Sequence, residues 1–387
     1  MTEIAHVYLH VPFSRGPRPY RDDSVLVTRE ADPMWAQMLS GELRMREALG
    51  VSLAGLETVL VGGGSPSMMG SLLPEGVHRI LGSDRIKATL EWTVEANPED
   101  LDAALIESWT ESGVSRINLG VQTLHDRALA WLGLEHSADL ARAAMCSLSE
   151  SDIASWGVDL LYGLSEEVDA SPTYALAEVI AAGAPHISLY ELGAEVGTPL
   201  ASRVASGDVR MAGQDRCADQ YLSLCAMLKD GGYVAYEMTG FALPRHRSRH
   251  ADALLEGRGW LGLGPGAHSQ LDGVASWNLR DWEGYSSAVR SRQIPEAGCC
   301  PLSLYANSPE RLWFALRRSQ GILRAQLSTD GLEVVARWVL HGLGRSDASR
   351  VWLTPEGWLQ LDALALELAE VEAEVETHPR GRPVLDS

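Results

Sequence analysis

Thr58-Val59-Leu60-Val61-Gly62-Gly63-Gly64-Ser65-Pro66-Ser67 opens as a short apolar, β-branched run and breaks at three glycines. Such a run reads as a strand, and a glycine cluster behind it as the turn into the next element. The same alternation recurs on both sides. Strands are expected at Ala5–Val11, Thr58–Val61, Leu90–Glu95, Arg116–Gln122, Trp156–Leu161 and His186–Leu192. Helical stretches lie between them at Pro33–Leu49, Pro74–Leu81, Leu101–Ser112, His125–Leu132, Ala138–Glu150 and Pro172–Ala182. Six βα units in a row call for parallel strands covered by helices. None carries the Gly-x-Gly-x-x-Gly turn of a dinucleotide fold, so an α/β, partial (β/α)6 TIM-like barrel is preferred to a Rossmann sheet. In such a barrel the chemistry sits at the C-terminal ends of the strands.

Beyond Thr198 the pattern changes. A helix over Gly213–Asp230 leads into a Gly/Tyr-rich section, Gly231–Ser269, and a second break surrounds Gly298–Pro301. Ser308-Pro309-Glu310 opens an amphipathic helix running to Gln320. Leu353 and Thr354 start a short strand and turn, followed by a helix over Trp358–Val375 and a polar tail, Glu376–Ser387, expected to fray. The expected domains are a barrel with an extension over 1–298 and an α-rich, winged-helix-like domain over 299–387.

Composition narrows the partners. The 387 residues carry a net charge of -20, with 52 acidic against 32 basic side chains. Phosphate backbones must be neutralised by Lys and Arg, so nucleic acid is not an expected partner. The same balance disfavours anionic membranes. No window reaches ~18 uninterrupted apolar residues, and Met1–His10 lacks the basic and apolar regions of a signal peptide. The five cysteines, Cys146, Cys217, Cys225, Cys299 and Cys300, contain no Cys-x-x-Cys pair. A disulfide framework is therefore not expected, and the cytoplasm is the default compartment.

The candidate site residues each carry two readings. In the glycine run the backbone amides can bind a carboxylate and the carbonyls can hold an ammonium; the run also reads as a tight barrel turn. Glu95 ends a strand, where a carboxylate faces the barrel mouth and can bond a ribose or an amine. Asn97 before Pro98 reads as a helix N-cap. Gln122 and Asp159 also end strands; one such residue is an ordinary loop anchor, whereas three on neighbouring strands favour a shared pocket. His10, His186, His250 and His268 show no metal-ligand spacing and read first as hydrogen-bonded structural residues. Cys299-Cys300 reads as a surface loop, and Cys217 with Cys225 as packing residues of one helix.

Together these motifs resemble the oxygen-independent coproporphyrinogen III oxidases and related heme chaperones of the radical SAM superfamily. The resemblance runs from Val7 to about Leu368 and rests on the first strand Val7–Phe13, the glycine run and Glu95-Ala96-Asn97-Pro98. It continues through Leu119-Gly120-Val121-Gln122, Asp159-Leu160-Leu161-Tyr162-Gly163-Leu164, Gly197-Thr198-Pro199 and Gly266-Ala267-His268-Ser269. It implies a SAM site lined by Tyr8, Gly63, Gly64, Ser65, Glu95, Gln122 and Asp159. It also implies three cysteines after the first strand that hold a [4Fe–4S] cluster. Here those positions are Ser14, Arg18 and Arg21. Neither a hydroxyl nor a guanidinium replaces a thiolate on iron, so no family-type cluster and no other metal is expected.

Leu134 stands where the family often has an arginine for the SAM carboxylate, which leaves Arg18 or Arg21 to anchor it through a bidentate fork. Replacing both is then expected to abolish SAM binding. The family's His-Asn-x-x-Tyr-Trp stretch reads His250-Ala251-Asp252-Ala253-Leu254-Leu255, which weakens heme transfer. The first reading is a SAM-binding enzyme of non-radical chemistry, methyl transfer or cyclisation and rearrangement, on a small natural-product-type substrate. His10, Tyr8, Glu237 and Asp159 are its candidate bases. The alternative is a non-catalytic heme or tetrapyrrole carrier with axial ligands from His250, His268 or Cys299-Cys300, or an accessory protein to a true radical enzyme.

Overall fold

Six parallel strands bury an apolar residue at every second position, and three of them place polar residues between, which sets the architecture. They are β1 (His6–Val11), β2 (Thr58–Gly63), β3 (Glu91–Ala96), β4 (Arg116–Gln122), β5 (Ser155–Tyr162) and β6 (His186–Glu191). On one face stand Val7, Leu9, Val59, Val61, Trp92, Val94, Ile117, Leu119, Val158, Ile187 and Leu189, all 0–1% exposed. Helices Trp35–Ala48, Leu72–Leu81, Ala103–Glu111, Asp126–Trp131, Ala138–Ser149 and Pro172–Ala181 lie between the strands and supply the apolar cover. The opposite face carries His6, Tyr8 and His10 on β1, Glu91, Thr93 and Glu95 on β3, and Arg116, Asn118 and Gln122 on β4. Burying the apolar face drives the sheet onto its helices, and the polar face is left to line the concave interior.

The structure is a computed structural model that describes residues 2–21, 25–168, 170–302 and 308–377, without the side chains of 374–377. The expected frayed tail lies, from 378 onward, outside the described residues.

The parallel strands run in sequence order 6-5-4-3-2-1 across the sheet. His6 lies opposite Thr58 and Ser188 opposite Asp159, and the β4–β5 pairing shifts register between Leu119 and Gln122. The barrel is partial. The sheet continues past β6 through antiparallel β7 (Gly240–Ala242), and past β1 through parallel β8 (Trp260–Leu263). Antiparallel β9 (His268–Leu271), β10 (Val274–Asn278) and β11 (Glu296–Pro301) then follow.

The N-terminal end of the barrel is plugged by the helix Arg249–Leu255. Glu91 accepts from the Arg249 and His250 backbone N–H groups at 2.9 and 2.8 Å. Thr58 Oγ1 lies 2.8 Å from Nδ1 of both His6 and His250. His250 is therefore a buried structural residue, and burial lowers its pKa to about 3.

Two compact units divide the chain. The first comprises Met1–Val234, Gly240–Leu254 and Arg258–Pro301; the second comprises Ala235–Thr239, Leu255–Gly257 and the residues from Leu302 onward. Cys299 and Cys300 thus belong to the first unit, as the exposed edge strand β11 paired with β10, and not to a loop opening the C-terminal domain. The second unit carries helices Pro309–Arg317, Thr329–Leu340 and Leu361–Thr377. Its three-stranded antiparallel sheet is built from Ile322–Leu323, Arg350–Leu353 and Gly344–Ser346. Ser308 and Ser328 cap the first two helices through their hydroxyls.

Within the first unit, Glu42 of the helix Trp35–Ala48 is fully buried. Its carboxylate accepts from Tyr285 Oη at 2.7 Å, Asn278 Nδ2 at 2.8 Å, the Gly264 N–H at 3.0 Å and Arg46 Nη2 at 3.2 Å. One residue thereby joins a barrel helix to β10 and to the helix Trp282–Arg290. Truncating one member of a buried ionic network strands its partners. Glu42→Ala is accordingly expected to cost about 3–5 kcal/mol, read as a lower urea midpoint, and an unchanged midpoint would remove the network from this role.

Candidate functional site

The segment after β1 folds back over the glycine run. Phe13 and Ser14 pair with Leu26 and Val27. The Gly64 and Ser65 N–H groups donate to the Val11 and Phe13 carbonyls at 2.7 and 2.6 Å. Gly64 cannot carry a side chain, because a Cβ there would lie 2.2 Å from the Phe13 carbonyl oxygen. Gly63 holds φ +109° and donates its N–H to Glu95 at 3.2 Å. The run is therefore both a tight turn and the wall of a cavity.

That cavity, of ≈ 370 Å³, opens at the C-terminal ends of the strands. It brings together seven of the expected residues: Arg18, Arg21, Gly64, Ser65, Glu95, Gln122 and Asp159. The shared pocket expected from three polar strand ends is present. Gln122 reaches it from a backbone in the left-handed region, φ 64°. Asn118 and Tyr190 also line it and are absent from the sequence-based set. Their signal was available, since both share the period-two parity of Glu95 and Asp159 on their strands.

Other expected residues stand elsewhere. Tyr8, His10 and Gly63 are not among the cavity's lining residues. Tyr8 Oη and His10 Nδ1 are 2.9 Å apart, and the His10 ring packs behind Gly63, where a Cβ would come within 2.5 Å of it. His10, expected as a base, thus has its ring packed against Gly63 and beside Tyr8. Glu237, expected as a base, belongs to the second unit, where it is buried and paired with Arg317 at 2.8 Å. Asn97 occupies the N-cap position of the turn Pro98–Asp100, yet its side chain makes no cap bond and donates to Ser65 Oγ at 3.0 Å.

Arg18 departs most from expectation. Its guanidinium donates to the Gly63 carbonyl at 3.2 Å, to the Gly64 carbonyl and to Ser65 Oγ at 3.3 Å. The fork assigned to a ligand carboxylate is already directed at backbone carbonyls. Nearby, Arg15 pairs with Asp100, which also accepts from Ser67 at 2.7 Å. Three arginines and six carboxylates line the cavity, so acid predominates. Burial pushes the Asp159 carboxyl up to about 6, with the adjacent Glu95 charge adding to it, while the Ser188 hydroxyl and Arg21 and Arg116 pull it down.

No family model matches the chain. The chain is 30% identical to heme chaperone HemW of Mycobacterium tuberculosis over 372 residues, 94% of each chain. The chain belongs to the heme chaperone HemW family. HemW of Synechocystis is 31% identical over 338 residues, 83% of this chain and 79% of that one. The solved coproporphyrinogen III oxidase HemN of Escherichia coli, a radical SAM enzyme, superposes with a TM-score of 0.76 at 19% identity. That match covers 95% of this chain and 90% of HemN, and places the fold among radical SAM enzymes.

That fold implies SAM and a [4Fe–4S] cluster, and the residues present can be tested against both. Ser14 Oγ donates to the Gly16 carbonyl at 2.9 Å, and Arg18 is held on the glycine carbonyls. Hard, cationic or hydroxyl side chains at these positions do not fit a thiolate-held cluster. Among the described residues no group of three His, Cys, Asp or Glu could hold a metal ion. The acidic floor of Glu95 and Asp159, by contrast, fits the hydroxyls of a nucleoside.

Asp159 makes the site's electrostatics measurable. Its folded pKa, about 6, exceeds the ordinary 3.8, so the native state binds the proton more tightly and ionisation above pH 6 costs stability. Asp159→Asn is expected to stabilise the protein at pH 8, on the order of 1–2 kcal/mol after allowance for water in the cavity. The advantage should shrink as pH falls through 6 and vanish below about pH 4. Chemical denaturation at both ends of that range checks it.

Proposed function

We propose that this chain is a heme-binding, chaperone-type protein that works without a family-type iron–sulfur cluster and without radical chemistry. The observation that carries the reading is its 30% identity with a heme chaperone across 94% of both chains. The replacement of the cluster positions by Ser14, Arg18 and Arg21, and the commitment of Arg18 to the glycine carbonyls, support the second half. A radical route needs an electron delivered through the cluster, whereas binding and handing over a tetrapyrrole does not.

Of the candidate axial ligands, His268 is the one the geometry favours. His250 is buried in the barrel plug with Nδ1 on Thr58. His268 is exposed on β9, opposite Trp277 of β10, with ring centroids 6.0 Å apart. The indole lies across Gly298 of β11, where a Cβ would come within 2.6 Å of it. A flat aromatic shelf beside an imidazole suits a planar macrocycle. Partial burial and Arg280 lower the His268 pKa, which keeps the ligating lone pair available at neutral pH.

Hemin titration tests the reading. The wild type should develop a Soret band, and His268→Ala should weaken hemin binding by roughly tenfold or more. Absence of a Soret band in a protein that binds and consumes SAM would favour the non-radical enzyme instead. A brown protein with charge-transfer absorption near ~400 nm would overturn the cluster-free half.

A further inference from the structure

We infer that Arg18 is a built-in occupant of the cation seat formed by the glycine run, and that the cavity therefore selects nucleosides without an α-amino acid tail. The inference concerns the barrel cavity and stands whether or not heme binds.

Two backbone carbonyls brought side by side by consecutive glycines are a seat for a cation with several N–H donors. In this chain the donors come from the protein. The Arg18 Nη1 and Nη2 atoms reach the Gly63 and Gly64 carbonyls, and Nη2 also reaches Ser65 Oγ. Ser65 is held from the other side by Asn97 Nδ2 at 3.0 Å, so the seat is buttressed around the guanidinium. An incoming ammonium finds its acceptors taken and a fixed positive charge beside them. Bonds from a charged donor are about twice as strong as neutral ones, and displacing the guanidinium would leave it to find new partners in a partly enclosed site.

The rest of the cavity stays open. Glu95, Asp159, Asn118 and Gln122 supply acceptors and amides on the floor, and a volume of ≈ 370 Å³ is within the range of small-molecule sites. Uncharged sugar hydroxyls and a purine are compatible with these groups; a zwitterionic tail at the glycine run is not. Arg18 thus acts as a specificity-determining residue, and its role is opposite to that expected from sequence, where it anchors the tail's carboxylate.

The test compares two thioethers that share a nucleoside and lack a sulfonium charge, S-adenosylhomocysteine and 5′-methylthioadenosine, so that the zwitterionic amino acid tail is what differs. Calorimetry on the full chain should show the tail-less ligand binding at least roughly tenfold tighter to wild type. Arg18→Ala should raise affinity for S-adenosylhomocysteine by a similar factor and leave 5′-methylthioadenosine unchanged. A loss of S-adenosylhomocysteine binding in Arg18→Ala would make Arg18 a tail anchor and overturn the inference. So would an unchanged ratio of the two affinities.

A second readout needs no nucleoside. Arg18→Ala should lose thermal stability that dilute ethylguanidinium chloride restores, while the same salt leaves wild type unaffected. If neither protein binds a nucleoside, restoration sustains the occupied seat but overturns the selectivity. Failure to restore overturns both.

Discussion

The structure depends on the buried apolar face of its six parallel strands, set by period two and opposed on β1, β3 and β4 by a polar face. Parallel strands flanked by helices commonly read as continuous apolar runs, because both faces are buried in hydrocarbon. Here three strands carry polar residues at alternate positions: His6, Tyr8 and His10, then Glu91, Thr93 and Glu95, then Arg116, Asn118 and Gln122. The apolar residues between them are sealed against helices, with Val7, Leu9, Val94, Ile117 and Leu119 at 0% exposure. A one-residue slip of β3 or β4 would exchange the two sets and bury charge against the helices, so the register is strongly specified there. The interior that results is hydrogen-bonded at its base through Thr58 and Glu91 and open at its mouth, where the cavity lies.

A polar interior makes the mouth sensitive to single substitutions. The glycine run would present its carbonyls to a ligand if nothing else met them; Arg18 meets them. One side chain thereby changes what a cavity built by six strands can receive. Asp159 shows the same sensitivity in another form, since enclosure beside Glu95 lifts its pKa to about 6 and leaves it near the boundary between its two charge states.

Much of the fold was legible in the sequence. The six strands lie within two residues of their expected bounds, because β-branched runs bounded by Gly, Pro and Asn leave little choice. The pocket formed by Glu95, Gln122 and Asp159 was legible because all three are polar residues in the C-terminal halves of neighbouring strands. Asn118 and Tyr190 were legible in principle, through the parity of their strands, and needed only that the alternation be followed inward from the ends. The surroundings of Glu237 and His10 are not legible in sequence for a different reason: they depend on which partner lies within reach, Arg317 for one and Tyr8 with Gly63 for the other. The edge strand at Cys299 and Cys300 reads as a loop in sequence because its pairing with β10 is a tertiary fact, and its composition is poor in strand formers.

The sequence by itself determined the parallel order of βα units, the glycine turn, and the loss of thiolates at Ser14, Arg18 and Arg21. These follow from local composition and spacing, which the chain carries whatever its partners. Only the tertiary structure decided where those new side chains go. An arginine in a loop has five donors and a reach long enough for many acceptors. That Arg18 turns to the Gly63 and Gly64 carbonyls, and not outward to a ligand, follows from the loop after β1 being drawn across the glycine run by the Val11 and Phe13 carbonyls.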